Sequence, residues 1–438
     1  MSIFYSGARS EHRSLRAGGM PRTSARGTWP HRLARLCLMF TGATLIAGQA
    51  QALGFTEALA IAEQQSPRAA ALRLQIDAAE SAQKAAGTLP DPKLAVGIES
   101  LPISGMDRWS LTRDSMTSQR IALMQEVPNR AKRDAKVASA QARVERERAT
   151  QTVQRLQIRQ EVGLAWVVAQ AVEQREQLLI ELLAENQRLQ DSLPARVAGG
   201  SAQASDSLAA QQEALALSDR RDDLRRDRSK ARAMLRRWVG PRADEALSGG
   251  TGALMRPVEQ LRADLAHHAE LELYPAMQRM ARAESHEAQA ESRGDWSWEV
   301  AYNRRGRQWG DMVSFQVTFD LPWQKDRRQV PMIEAKQREL GRLEAEQDDV
   351  ARRHLQELDD NAAELQALQS QLERLNGTGL RLARERADLA LTNYRAAKGD
   401  LSAVLVTRAQ VLEARMRLID LQAQRDGLVV RLNNLIAD

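Results

Sequence analysis

The sequence predicts a mainly α-helical chain with a small membrane β part. A duplicated helical-hairpin repeat would form a trimeric α-barrel, and four strands per chain would contribute to a shared 12-stranded β-barrel. Three observations predict it. Aromatic residues are only 4% of the 438 residues while charged residues are 27%, a composition of long solvated helices rather than of a mixed globular core. Two stretches of more than 60 residues run at helical spacing without a proline. Four short segments instead alternate apolar and polar residues with period two.

The first 52 residues stand apart. They carry seven arginines (Arg9, Arg13, Arg16, Arg22, Arg26, Arg32, Arg35) against Glu11, so this segment alone accounts for the chain's formal charge of +6. The rest is about neutral, which removes the nucleic-acid reading that a basic chain invites. An apolar run from Leu36 to Ala47 comes next, and then the small-x-small signal Ala50-Gln51-Ala52. This is the layout of a secretory signal peptide, residues 1–52, cleaved after Ala52. The single cysteine, Cys37, lies in the apolar run behind Ala34-Arg35-Leu36. That context lacks the small residues of a lipoprotein signal, so no lipid anchor is expected. The mature chain would be free of cysteine, which suits an oxidising compartment. Mean hydropathy is −0.48, and no run of about 18 apolar residues exists, so a polytopic helical membrane protein is excluded.

The mature chain reads twice in the same order, as residues 53–238 and 258–438 around a Gly/Pro-bearing linker, 239–257. Each copy opens with a helical stretch (Thr56–Ala86, then Val258–Ser292). Two alternating segments come next, then a long helix, a break and a return helix. Gln125-Glu126-Val127-Pro128 matches Phe319-Asp320-Leu321-Pro322, and the breaks near Gly200 and Ala397 fall 72 and 75 residues beyond those prolines. The long helices are expected over Asn129–Ser192 and Met332–Tyr394, with Ile158, Val162, Ala165, Ala169, Val172, Leu179 and Leu183 on one stripe. At 1.5 Å per residue such a helix is on the order of 95 Å long. Val404, Val411 and Leu418 repeat every seven residues on the last helix, the spacing of coiled-coil packing. A hollow helical cylinder results, not a compact domain.

The alternating segments define two hairpins, 93–128 and 296–323. Leu94, Val96 and Ile98, then Ile121, Leu123 and Val127, mark the first. Trp296, Trp298, Val300 and Tyr302, then Val313, Phe315, Val317, Phe319 and Leu321, mark the second. About ten residues is the length of a bilayer-crossing strand, and an apolar-out, polar-in pattern with aromatics is that of a membrane barrel. Four strands cannot close, and an open edge in lipid leaves backbone groups unpaired. Two copies would give eight strands, a barrel filled by its own side chains; three give twelve and leave a conduit, so a homotrimer in lipid is expected.

Catalytic chemistry is missing. No phosphate-binding glycine loop, nucleophile motif or cysteine ligand set occurs, so neither enzyme activity nor a cofactor is expected. His267 and His268 are adjacent and point about 100° apart on a helix; His286 and His354 are isolated in the sequence. No metal site is expected. Arg220-Arg221 and Arg225-Arg226 alternate with Asp222, Asp223 and Asp227, a self-neutralising wet face.

Three stretches carry a family resemblance: Leu89-Pro90-Asp91-Pro92-Lys93-Leu94, Asp311-Met312-Val313-Ser314 through Asp320-Leu321-Pro322, and Gly399-Asp400-Leu401-Ser402-Ala403-Val404-Leu405. With them the mature chain resembles the TolC family of bacterial outer-membrane efflux channels, in particular the heavy-metal cation branch that partners resistance–nodulation–division (RND) pumps. The resemblance implies a trimer in the outer membrane extending into the periplasm, docked to a periplasmic adaptor protein and an RND inner-membrane pump. It implies adaptor-docking tips at Val197, Ala198, Gly199, Gly200 and Ser201 and at Tyr394, Ala397, Lys398, Gly399, Asp400 and Leu401. Ala397 stands where the family usually has glycine, a role Gly399 is expected to take over. Asp206 falls at a family constriction position; an ordinary helix N-terminal acid is the other reading of it. Drugs or a secreted polypeptide stay open as cargo, and a periplasmic adaptor is a further alternative that the four strand segments disfavour.

Overall fold

The computed structural model describes residues 52–396 and 398–436. Residues 1–51 of the expected signal peptide, with Ala50 of its cleavage signal, and Ala397 of the second tip lie outside the described residues.

The first half runs β1 (Leu53–Gly54), α1 (Phe55–Gln65), α2 (Pro67–Ala85), β2 (Lys93–Glu99), β3 (Ser118–Val127), α3 (Arg130–Ala198) and α4 (Ala204–Val239). After β4 (Leu247–Ser248) the second half runs α5 (Val258–Ala263), α6 (Ala269–Ala290), β5 (Trp296–Arg304), β6 (Met312–Phe319), α7 (Lys325–Arg374), α8 (Leu380–Arg395) and α9 (Leu401–Asn433). The mainly helical class with a small β part is the one the sequence predicts.

Several boundaries differ from the sequence reading, each for a local reason. The single helix expected over Thr56–Ala86 breaks at Ser66. There Pro67 occupies the first helical position and the Ser66 hydroxyl accepts from Ala69 N–H at 3.2 Å, a proline-led restart with a serine cap. The stretch expected over Val258–Ser292 breaks too, with a 3-10 turn at Leu265–His267. α3 runs past the expected Ser192 and carries Pro194, while α7 starts before the expected Met332, carries Pro331 and ends at Arg374, short of the expected Tyr394. Pro331 sits in the second turn of α7 and Pro194 in the last two turns of α3, so each displaces a hydrogen bond near a helix end. A π turn over Leu375–Gly379 separates α7 from α8, where Asn376, Gly377 and Gly379 weaken helix propensity.

Packing follows the apolar stripes. Trp166, fully buried on α3, gathers Leu53, Ile158, Val162, Leu235 and Trp238 around it, with the Phe55 ring edge-on at 5.3 Å. On α7 the buried residues Leu358, Leu365 and Leu372 recur every seven and meet Leu421, Leu428 and Leu432 of α9. Helices α3 and α9 pack closely at Gly163, where a Cβ would stand 2.7 Å from Val430 Cγ1. On α9 itself Val404 and Leu412 are buried, while Val411 and Leu418 of the expected heptad are only half-buried.

β2, β3, β5 and β6 form one antiparallel sheet in the order β2-β3-β5-β6. β1 and β4 pair separately in parallel.

Candidate functional site

The sheet is sorted by face. Register places Leu94, Leu123, Val300 and Phe315 in one cross-strand row and Val96, Ile121, Tyr302 and Val313 in another. The neighbouring rows are Ala95, Ala122, Ala301 and Ser314, and Lys93, Met124, Glu299 and Gln316. Since successive strand residues point to opposite faces, one face is a continuous apolar field and the other small and polar. The apolar field faces outward from the chain: Val96 is 73% exposed, Val313 72% and Phe315 69%. On the polar face Arg120 bridges Glu99 and Glu299 from two different strands, and Asn303 Nδ2 donates to Ser314 Oγ at 3.1 Å. Neither β2 nor β6 has an outer strand partner among the described residues.

The sheet is fastened to the helices at one knot. Asn129 caps α3, its Oδ1 accepting from Lys132 N–H at 2.8 Å. The Asp295 carboxylate accepts from Asn129 N–H at 2.8 Å, from Asn129 Nδ2 at 3.0 Å and from Lys132 Nζ at 2.9 Å. Burial pushes the Asp295 carboxyl up, but the lysine and the asparagine outweigh it and hold its pKa below the usual carboxylate value. The same hydrogen bond raises the Lys132 ammonium, against desolvation.

The two tips share one small core of Leu193, Ala210, Tyr394, Leu401 and Val404. In the first tip Gly200 takes φ +69°, the left-handed conformation that glycine adopts freely, while Gly199 stays at φ −80°. Ser201 N–H closes the turn on Arg196 C=O at 2.8 Å. Ala198, Gly199, Gly200 and Ser201 are exposed and Val197 half-buried. In the second tip Asp400 caps α9, accepting from Ala403 N–H at 3.1 Å and Ser402 Oγ at 2.9 Å; these donors hold its pKa down. Lys398, Gly399 and Asp400 are exposed, whereas Tyr394 and Leu401 are buried. Gly399 is not among the residues of positive φ, and a Cβ on it would stand 3.4 Å from Asn393 Cβ. Asp206 is buried. It forms a capping box with Gln203, and its Oδ2 accepts from the Tyr394 hydroxyl at 3.0 Å. Burial and this bond raise the Tyr394 pKa. The Arg196 guanidinium lies 4.6 Å over the Tyr394 ring. Within the chain, then, Asp206 is a cap and a tie between tips rather than a bare acid.

One cluster corrects the sequence reading. His354 is not isolated: it is buried, and its ring stacks on His268 with centroids 3.7 Å apart. His354 Nε2 meets Glu270 Oε2 at 2.8 Å and Nδ1 meets Glu357 Oε2 at 3.1 Å. His268 caps α6, its Nδ1 accepting from Glu270 N–H at 3.1 Å. Burial, then repulsion from His354, lowers the His268 pKa to about 4. Glu270 is pushed up by burial, but His354 and Arg353 bring it below the usual value.

A body of long helices carrying one small sheet with an apolar outer face is the TolC-like fold. No known family profile matches the sequence, and no curated protein matches it. Solved structures do. The outer membrane protein VceC from Vibrio cholerae aligns at TM-score 0.69 and 18% identity, over 87% of this chain and 95% of its own. CusC, whose structures concern transmembrane channel formation, aligns at 0.73 and 12%, over 88% and 92%. The Neisseria gonorrhoeae MtrE outer membrane channel aligns at 0.68 and 13%, over 87% and 88%. At such identities the likeness is one of fold.

Proposed function

We propose that the chain is the outer-membrane channel component of a tripartite efflux system, a passive exit duct working as a homotrimer. The observation that carries this reading is the sheet: a bare apolar face joined to two unpaired edges. Facing water, that field would be a large exposed apolar patch. In lipid it is matched, but then the backbone groups of β2 and β6 need partners, each costing several kcal/mol unpaired. Pairing β2 of one copy with β6 of the next meets both demands, and three copies close twelve strands. The helices point the same way. Leu208 and Leu215 on α4, and Leu382 and Leu389 on α8, are more than half exposed and seven residues apart, coiled-coil seams awaiting a second copy.

On this reading residues 53–238 and 258–438 are two repeats joined by 239–257. Each supplies a hairpin to the barrel and a helical hairpin to a periplasmic duct. The exposed residues of the two tips dock a periplasmic adaptor, which in turn engages an RND inner-membrane pump. Asp206, three per trimer, reaches the passage as an acidic constriction when its bond to Tyr394 opens. The cargo is heavy-metal cations, on the strength of the sequence resemblance. Purified protein reconstituted in planar bilayers should give single-channel conductance, and chemical crosslinking should end at trimer. A chain that stays monomeric and soluble without detergent, or crosslinks that stop at dimer, would refute the channel.

A further inference from the structure

We propose that His268, Glu270 and His354 form a binding site for a divalent transition cation of the zinc type, joining the start of α6 to the middle of α7. The inference does not depend on the channel reading. The three residues come from two elements far apart in the chain, yet they offer one ligand atom each within 4.8 Å of one another. Two imidazoles and a carboxylate are a zinc donor set. Donors on bonds of about 2.05 Å stand about 3.4 Å apart in a tetrahedron, so side-chain rotation alone must bring them together. Glu270 Oε2 and His354 Nε2, in hydrogen-bond contact at 2.8 Å, need to part by only about 0.6 Å to share a cation.

A second, independent feature supports the assignment. The far nitrogen of His354 faces Glu357 Oε2 at 3.1 Å. A carboxylate faces each ring nitrogen, so a cation on Nε2 would replace the hydrogen between Nε2 and Glu270 while Glu357 accepts from Nδ1–H, the arrangement that orients metal-bound histidines. His268 joins by turning out of its stack on His354 and exchanging its cap bond to Glu270 N–H for the metal. The cluster opens on a cavity of about 570 Å³ that is also lined by Gln157, Gln160, Asp360 and Arg431, room for water to complete the coordination. The opposing charges are Arg431 on the cavity wall and Arg353, whose Nη2 donates to Glu270 Oε1 at 3.0 Å and to Oε2 at 3.1 Å. The Arg353 side chain is 48% exposed, so it can release Oε2 to the cation and keep Oε1.

The test is titration of the chelator-treated, full-length detergent-solubilised protein with Zn²⁺ by calorimetry, and with Co²⁺ by visible absorption. One ion per chain and a tetrahedral cobalt spectrum are expected. His354→Gln should weaken zinc at least about 100-fold, and Glu357→Gln about 10-fold as an orienting partner. His268→Asn keeps a capping side chain and so isolates the loss of the ligand; it should also weaken zinc at least about 100-fold. His267→Ala should change nothing. Zinc affinity unchanged in both His354→Gln and His268→Asn, with the helical content of each preserved, overturns the site, as does the absence of any zinc-dependent heat in the unaltered protein.

Discussion

Phe315→Arg separates a lipid-facing sheet from a water-facing one. Phe315 lies in the row Leu94, Leu123, Val300 and Phe315, near the middle of β6, with its side chain bare. On the lipid face of a barrel near the midplane an arginine costs about 2–4 kcal/mol. Three copies bring this to about 6–12 kcal/mol per assembly. Even the lower figure per chain is about 30-fold in an insertion equilibrium. On a water-facing sheet the same change would fall within about 0.5 kcal/mol of neutral. The control is the next residue. Gln316 points to the polar face opposite Glu299, so Gln316→Arg meets a carboxylate and should assemble normally. The assay is the fraction of protein migrating as a heat-modifiable oligomer after insertion into lipid vesicles. Phe315→Arg assembling as well as Gln316→Arg would show that the apolar face does not meet lipid.

Trp166→Ala empties the core at a site of 0% exposure and should cost about 3–5 kcal/mol, read from the guanidinium midpoint at constant slope. Trp166→Phe keeps a ring and leaves a smaller cavity, so it should cost less, about 1–3 kcal/mol, and the indole N–H has no hydrogen-bond partner among the described residues, so its loss strands nothing; equal costs for the two would contradict the packing. At the sheet knot, the lowered Asp295 pKa gives stability that is present above its unfolded value and lost as pH falls through the folded one. Lys132, its pKa raised from an already high value chiefly by Asp295, stays charged throughout that acid range. Asp295→Asn should therefore cost about 2 kcal/mol at neutral pH and flatten the acid limb of a stability-against-pH curve, and an unchanged acid limb would remove this pair from the account.

The four strands were legible because period two is a local property: Trp296, Trp298, Val300 and Tyr302 alternate whatever lies beside them. Their order was not legible. β3 beside β5 joins residues such as Leu123 and Val300 that no local signal connects. Helix existence was legible from spacing and helix ends less so, since Pro194 and Pro331 read as boundaries and are absorbed near them. Asp206 could be read as a cap from Gln203 three residues before it, but its bond to Tyr394 crosses 188 residues. The histidine cluster was the least visible feature. His268 and His354 are met only because α6 lies along α7, and neither has a local motif.

The knot at Asn129 and Asp295 makes the sheet and the helical body one mechanical unit. A Cβ at Gly294 would collide with the Asp320 carbonyl, and Asp320 N–H donates to Asp295 C=O at 2.8 Å. The outgoing end of β6 is thereby held against the start of β5, while Asp295 holds the start of α3. Both strand-to-helix transitions pass through these few residues, and Pro128 and Pro322 immediately beside them restrict the backbone further. The direction in which the sheet leaves the helices is thus set locally. If β2 and β6 pair between copies, a joint fixed in this way would couple barrel closure to the docking of the exposed helical positions Leu208, Leu215, Leu382 and Leu389.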